Sequence, residues 1–409
     1  MNSSPSNVLA IVLAGGRGSR LMPLTTHRAK PDVTFGARHR IIDFVLSNLV
    51  NGGCRDIVVI TQYKNRSLDD YLRASWGVTP VPSRQEPGAG GGSADALYRN
   101  LDVIEAAEAE HVLVFGADHV YRMDPRHLLA EHIAWGSHVT VAAVRQPLDL
   151  ADQFGVIDAA ADGHGIAAFR EKPADATGLP DAPDQVFASM GNYAWRADAL
   201  LAALCADAAD PDSGHDVGGD LIPAMVAAGR AGVYDFTADA SPGSAARGRG
   251  YWRDVGTLDA YHAAHMDVLG DEPVFDLADP HWPIGLPSAG RHAAKTSGTG
   301  VGAGSLMAPN VTVAGTVYRS VLSPGVRIDR AARVESSILM NDVHIGADCV
   351  IRNAIIDHGV HIAPGTRIGV DPRADRRLFT ITERGVVVVG YPRTRQPGGP
   401  ALAARMEEV

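Results

Sequence analysis

The stretch from Val8 to Lys30, VLAIVLAGGRGSRLMPLTTHRAK, constrains this chain most. Val8–Ala14 is a short run of aliphatic and β-branched residues, the pattern of a strand buried on both faces of a parallel sheet. It ends in Gly15-Gly16-Arg17-Gly18-Ser19-Arg20. Glycines here allow a sharp turn that exposes backbone N–H groups to an anion. Arg17 and Arg20 add forked, permanently charged donors suited to phosphate oxygens. Lys30 follows as a point charge, with Pro31 biasing it toward extended backbone. No Gly-Lys-Ser/Thr closes the turn, so it is not a Walker loop, and GGRGSR lacks the spacing of G-x-G-x-x-G. A glycine-rich turn alone is ordinary turn chemistry. The three cations beside it favour phosphate.

At 409 residues the chain is long enough for two or three domains. Its net charge of -10 excludes general affinity for nucleic acid, so a phosphate site must be a local basic pocket. The opening MNSSPSN has neither the basic residues nor the apolar segment of a secretory signal, and no apolar run reaches membrane-spanning length. Cys54, Cys205 and Cys349 are odd in number and far apart. That suits a reducing cytoplasm and reduced structural thiols rather than disulfides or zinc.

Strand and helix signals alternate through the first 140 or so residues. Helices are expected at Ile42–Val50, Leu68–Trp76 and Ala94–Ala107, the last capped by Ser93. Strands are expected at Asp56–Thr61, His111–Gly116 and Val139–Val144. This alternation implies an α/β fold, a mostly parallel sheet with helices on both faces and ligands beyond the strands' carboxyl ends. Asp118 falls at such an end, in FGADHVY, either as a helix-cap carboxylate or as a hard oxygen ligand for Mg2+. Glu171-Lys172-Pro173 ends another strand, where a surface ion pair is the plain alternative. Asp216 and Asp220 read as helix-start carboxylates. From about Gly270 to Gly300 prolines and glycines indicate a linker, anchored by Trp282. From Val301 to Val370 aliphatic residues recur about every six positions, which indicates a β-helix of stacked rungs, with antiparallel strands as the alternative. Strand character returns at Gly385–Tyr391, before a Pro/Gly-rich end.

LAGGRGSRL, RAKP and IIDFVLSN together resemble the sugar-nucleotide pyrophosphorylases, and among them the bacterial glucose-1-phosphate adenylyltransferases. The resemblance covers about residues 8 to 390. It implies a Rossmann-like, mixed or parallel-sheet nucleotidyltransferase domain over 1–270, a linker over 271–300, a left-handed parallel β-helix of hexapeptide repeats over 301–392, and a flexible tail over 393–409. It implies ATP and glucose 1-phosphate as substrates, Mg2+ as cofactor, and a cytoplasmic homotetramer without membrane or nucleic-acid partners. Arg17, Asp118 and Lys172 would be catalytic. Gly15, Gly16, Arg20, Lys30, Gln85, Gly92, Gly155, Glu171, Lys172 and Ser189 would bind substrate. Asp118 and Asp254, the latter in YWRDVGT, would hold the metal. His27 and Arg28 stand where an effector would be met.

The chain departs from that pattern in places. PVPSRQEPGAGGG, from Pro80 to Gly92, is shorter than the usual loop and lacks its aromatic pair; Gln85 is the one glutamine of the usual pair left in it. Arg170 replaces an apolar residue, His27 replaces a lysine, and Gly285 follows Trp282-Pro283-Ile284. Three readings therefore stand: synthesis of ADP-glucose for glycogen or another α-glucan; the same chemistry on another sugar 1-phosphate or nucleotide; or a catalytically weak regulatory paralogue. Acyl transfer by the β-helix, through His344, His358 or His361, is more remote.

Overall fold

The computed structural model describes residues 7–16, 18–85, 91–238, 248–285, 294–295 and 302–390. They form two compact units, one within Met1–Gly16 and Phe44–Trp252, the other within Arg17–Asp43 and Arg253–Val409. The C-terminal tail expected over 393–409 lies outside the described residues, as does most of the linker after Gly285.

The first unit is built on a nine-stranded sheet. Its strands are β1 Val8–Ala14, β2 Asp56–Thr61, β3 Val81–Pro82, β4 His111–Gly116, β5 Val139–Pro147, β6 Gly155–Ala159, β7 Ile166–Glu171, β8 Gln185–Arg196 and β9 Ala231–Asp235. The order is β7-β6-β8-β4-β1-β2-β3, with β5 joined to β8 and β9 to β5. Strand β1 pairs in parallel with β2 on one edge and β4 on the other, as its unbroken apolar run requires. Strand β8 runs antiparallel to β4, β5 and β6. The sheet is therefore mixed, and β5 is parallel only to β9. The ladder of β8 with β5 slips between Ser189 and Tyr193, a bulge at which Gly191 takes φ 68°. Leu9, Ile11, Val112, Val114, Val141 and Trp195 anchor the core of this unit.

The helices correct three expectations. One helix was expected over Ala94–Ala107; two form, at Ser93–Tyr98 and Leu101–Ala106. Buried Asn100 makes the break. Its Nδ2 donates to the Ala96 carbonyl at 2.9 Å and to the Pro82 carbonyl at 3.3 Å, competing with the helical ladder. Nor does Ser93 cap the helix, since Gly92 holds that position. Ser93 Oγ instead donates to Asp216 Oδ2 and accepts from the Val217 N–H, each at 2.8 Å. The helix expected over Leu68–Trp76 starts at Arg66 and widens into a π turn at Leu72–Trp76.

In the second unit, residues 18–43 pack on the helix Leu258–Asp267. Phe35 lies 4.0 Å from the His265 ring, the Gly36 N–H donates to His265 Nε2 at 3.1 Å, and the Tyr261 hydroxyl donates to the Thr34 carbonyl. Farther along, each coil contributes a short strand to each of three parallel sheets. Val321 pairs with Ile338 and Ile338 with Ile355; Ile328 pairs with Ile345 and Ile345 with Ile362; Val334 pairs with Ile351 and Ile351 with Ile368. Leu322, Leu339 and Ile356 on the first sheet, with Ile328, Ile345, Ile362, Val334, Ile351 and Ile368 on the other two, form one buried apolar core, so the short sequence period marks the sides of each coil. The arrangement is that of the expected β-helix. Val387–Val389 adds a final parallel strand, and Trp282 is buried as an anchor.

One buried histidine makes the first unit sensitive to acid. His132 lies on the helix Pro125–Trp135, with Nδ1 on Thr140 Oγ1 at 2.9 Å and its ring edge-on to His111 at 5.2 Å. Burial first, then the charges of His111 and Arg196, push its pKa from 6.5 to about 4. The unfolded chain therefore binds the proton more readily, so stability falls as pH drops from 6.5 toward 4. Urea titrations at pH 7 and pH 5 should show this loss, and His132→Asn, which keeps a donor for Thr140, should reduce it by about 1–3 kcal/mol.

Candidate functional site

Chemistry-bearing side chains gather in two constellations, one in each unit. In the first, parallel pairing of β1, β2 and β4 places Gly15, Gln62 and Asp118 just past neighbouring strand ends. The Ala117 N–H donates to the Leu13 carbonyl at 3.2 Å and the Gly116 N–H to Asn192 Oδ1 at 3.3 Å, fixing the backbone that carries Asp118. The Asp118 side chain is 38% exposed, with His119 Nε2 at 3.5 Å from Oδ1. A Cβ on Gly15 would lie 2.9 Å from Gln62 Oε1, while Gly16 faces open space. Arg17 lies outside the described residues.

Gln85 and Gly92 belong to one hydrogen-bonded edge. Gln62 Nε2 donates to Gln85 Oε1; Gln85 Nε2 donates to the Gly92 carbonyl at 3.0 Å and to Asp95 Oδ2 at 2.9 Å. Only glycine fits at Gly92, because a Cβ would stand 2.4 Å from the His215 carbonyl oxygen. The loop between Gln85 and Gly91 lies outside the described residues.

Gly155 and Glu171 are register partners in the β6–β7 hairpin. Lys172 follows with its N–H donating to the Phe154 carbonyl at 2.9 Å. Its φ of 46° is a strained value for a residue with a side chain, and such strain concentrates at functional positions. Its ammonium contacts the Glu171 carboxylate, and both side chains are more than half exposed. Ser189 Oγ accepts from the Gly191 N–H at 3.3 Å at the β8 bulge. Tyr193 lies close by, buried. Burial first, then the Asp216 carboxylate, pushes its phenol well above the ordinary range, and the Glu171 carboxylate acts in the same sense. Ser189, Glu171 and Tyr193 thus share one environment. Asp216 accepts the Gly219 N–H as a helix cap, the plain role expected of it.

The second constellation is cationic with one carboxylate. Gly18 turns the chain in the left-handed region, and its carbonyl accepts Thr25 Oγ1 at 2.7 Å. Lys30 Nζ donates to Asp254 Oδ1 at 2.9 Å, with the Lys30 side chain 6% exposed. A buried pair of this kind forces both charges to remain matched. Arg20 Nη2 lies 4.0 Å from Asp254 Oδ2, its side chain 68% exposed. Gly256 permits the approach: a Cβ there would stand 2.9 Å from both Arg20 Nη2 and Asp254 Oδ2. His27 is exposed. Arg28 is not a free effector ligand; its guanidinium meets Asp357 Oδ1 at 3.2 Å and contacts His358.

Sequence reasoning missed Gln62, Asn192 and Gly256. Gln62 lies just past a buried strand, as Asp118 does, so the strand-end rule would have found it. Asn192 lies inside a strand and Gly256 beside an already chosen residue, and no sequence signal separates either from its neighbours.

The carboxylates of Asp118 and Asp254 are hard oxygen donors, the ligand type a Mg2+ ion takes. The exposure of Asp118 leaves it open to one, and at Asp254 a cation would share the carboxylate with Lys30.

Comparison with known proteins gives the chain a family context. Residues 9–270 match the family "Nucleotidyl transferase" and residues 287–389 match "GlmU-like, C-terminal hexapeptide". A glucose-1-phosphate adenylyltransferase of Parafrankia sp. (strain EAN1pec) is 49% identical over 94% of this chain and 97% of its own length. Those of Acidothermus cellulolyticus and Streptomyces coelicolor are 51% and 49% identical, over 93% and 94% of this chain and 97% and 98% of their own lengths.

A methyl group at position 256 would displace the Arg20 guanidinium from Asp254. Gly256→Ala should weaken binding of inorganic pyrophosphate about tenfold by calorimetry, the scale of one charge-assisted hydrogen bond, with the unfolding transition near its wild-type position. Unchanged affinity would separate Arg20 from anion binding.

Proposed function

The chain belongs to the glucose-1-phosphate adenylyltransferase family, and from that premise we propose that it makes ADP-glucose and pyrophosphate from ATP and glucose 1-phosphate. The observation that carries this reading is identity of about one half along nearly the whole of the chain and of its relatives alike.

An oxygen of the sugar phosphate attacks the α-phosphorus of ATP, and pyrophosphate leaves in line. The nucleophile is already an anion, so no general base is required. Catalysis is positioning plus charge stabilisation. Arg17 and Arg20 take the triphosphate, with Lys30 beside them. Gly15 and Gly16 offer N–H groups to phosphate oxygens. Gln85 and Gly92 meet the nucleotide base. Gly155, Glu171 and Ser189 face the glucose hydroxyls. Lys172 turns from Glu171 to hold the phosphate of glucose 1-phosphate against the repulsion of the two anionic reactants. The half-exposed Glu171–Lys172 pair supports that role, because an ion pair open to water holds its partners weakly. Asp118 and Asp254 are the carboxylates that would hold Mg2+, whose chemistry when bound is to neutralise charge on the phosphate oxygens.

The remaining readings are proposals of the same kind: a cytoplasmic homotetramer supplying α-glucan synthesis and answering an effector near His27 and Arg28. An anion reaching Arg28 would have to displace the Asp357 carboxylate from it, whereas His27 is exposed.

Pyrophosphate release with Mg2+, ATP and glucose 1-phosphate tests the reaction, with UTP, GTP and glucosamine 1-phosphate as alternates. Release should be fast with the first pair. Release only with an alternate would mean that the short Pro80–Gly92 loop resets specificity, and none from a folded, ATP-binding protein would favour the regulatory paralogue. Asp118→Asn should lower turnover at least about a hundredfold with an unchanged circular-dichroism spectrum. Lys172→Ala should raise the KM for glucose 1-phosphate more than that for ATP. Near-normal turnover of Asp118→Asn would remove Asp118 from the mechanism.

A further inference from the structure

A line of aromatic rings runs through the first unit between Lys172 and Asp118. The Lys172 N–H is held by the Phe154 carbonyl at 2.9 Å. The Phe154 ring meets Trp252 edge to face, with centroids 5.7 Å apart and planes at 65°. Trp252 lies against the His119 ring at 4.8 Å and 45°. His119 Nε2 then lies 3.5 Å from Asp118 Oδ1. Trp252 is 6% exposed. Its Nε1 and the Nδ1 of His119 are buried and have no hydrogen-bond partner among the described residues. Buried ring N–H groups normally find a partner. Ring packing is therefore the contact the described residues give these two nitrogens' rings. The slot is close-fitting at its far end, where a Cβ on Gly116 would stand 3.3 Å from both Asp118 Oδ1 and the His119 ring.

We propose that Phe154, Trp252 and His119 are positioning residues that couple the sugar-phosphate end of the site to the Asp118 carboxylate. The proposal rests on the roles given above to Lys172 and Asp118. Lys172 holds a strained main chain at φ 46°, and sugar-phosphate binding that shifts it also shifts the Phe154 carbonyl bonded to its N–H. Rings in van der Waals contact at interior density cannot absorb that movement separately. The movement reaches His119 and selects the orientation of Asp118 that receives the divalent cation. Sugar phosphate and cation then each strengthen binding of the other, and by linkage the effect is reciprocal.

The test measures the coupling directly on the full-length chain. Mn2+, read by electron paramagnetic resonance, is titrated with and without glucose 1-phosphate. Wild-type protein should bind Mn2+ about tenfold more tightly with the sugar phosphate present, within the usual range for coupled sites. The indole is then removed by Trp252→Leu, which should reduce the tightening to less than about twofold while leaving Mn2+ affinity without the sugar phosphate near wild type. Trp252→Phe, which keeps a ring in the slot, should retain most of it and serves if the leucine variant does not fold. His119→Asn should likewise reduce the tightening to less than about twofold, whatever its Mn2+ affinity without the sugar phosphate. Absence of coupling in the wild type, or full coupling in Trp252→Leu, overturns the proposal. Asp118→Asn separates the two levels: equal Mn2+ binding by it and the wild type sinks the role of Asp118 itself. Loss of Mn2+ there with coupling intact in Trp252→Leu sinks the ring stack alone.

Discussion

Strand β1 pairs in parallel on both edges, and the chemistry of the first unit depends on that pairing. Two parallel neighbours bring three carboxyl ends to one rim of the sheet. Gly15 and Gln62 follow those ends directly and Asp118 one residue later, so backbone register rather than side-chain packing sets their spacing. Strand β8 then enters antiparallel against β4, and its bulge at Gly191 puts Ser189 and Asn192 beside the same rim. The register rests on aliphatic residues enclosed on both faces, which have no alternative environment of comparable free energy.

The second unit solves a different problem, which is to hold several cations in a protein of net negative charge. Immediately after the glycine turn the chain joins the unit that also contains Arg253–Val409. There Lys30 is buried against Asp254, and Arg28 against Asp357. Each carboxylate offsets the desolvation of a cation that water would otherwise retain. Arg20 is left exposed beside the first pair, so one side of the constellation is fixed while the other can answer a ligand. The Phe35–His265–Tyr261 stack holds the segment that carries them.

Much of this was legible in advance. The strands at Val8, Asp56 and His111 and the coil period after Val301 were visible because burial on both faces, or on one side of a rung, writes itself into local spacing. Asp118 was visible because strand ends are where such sheets bind ligands. The helix break at Asn100 was not, because its cause is a buried amide reaching the carbonyl of Pro82. The antiparallel course of β8 against β4 and β5 was not legible in residue spacing, because strand direction depends on the partner chosen.

The sequence by itself determined the apolar strands, the glycine turn with its cations, and the coils of the β-helix, since all three are set by interactions among near neighbours in the chain. Tertiary structure alone decided that Lys30 is buried on Asp254, that Ser189 and Glu171 share an environment with Tyr193, and that Phe154, Trp252 and His119 stack in one line. Each of those contacts joins segments far apart in the chain. They form because the folded chain brings those segments together and shields Lys30, Tyr193 and Trp252 from water.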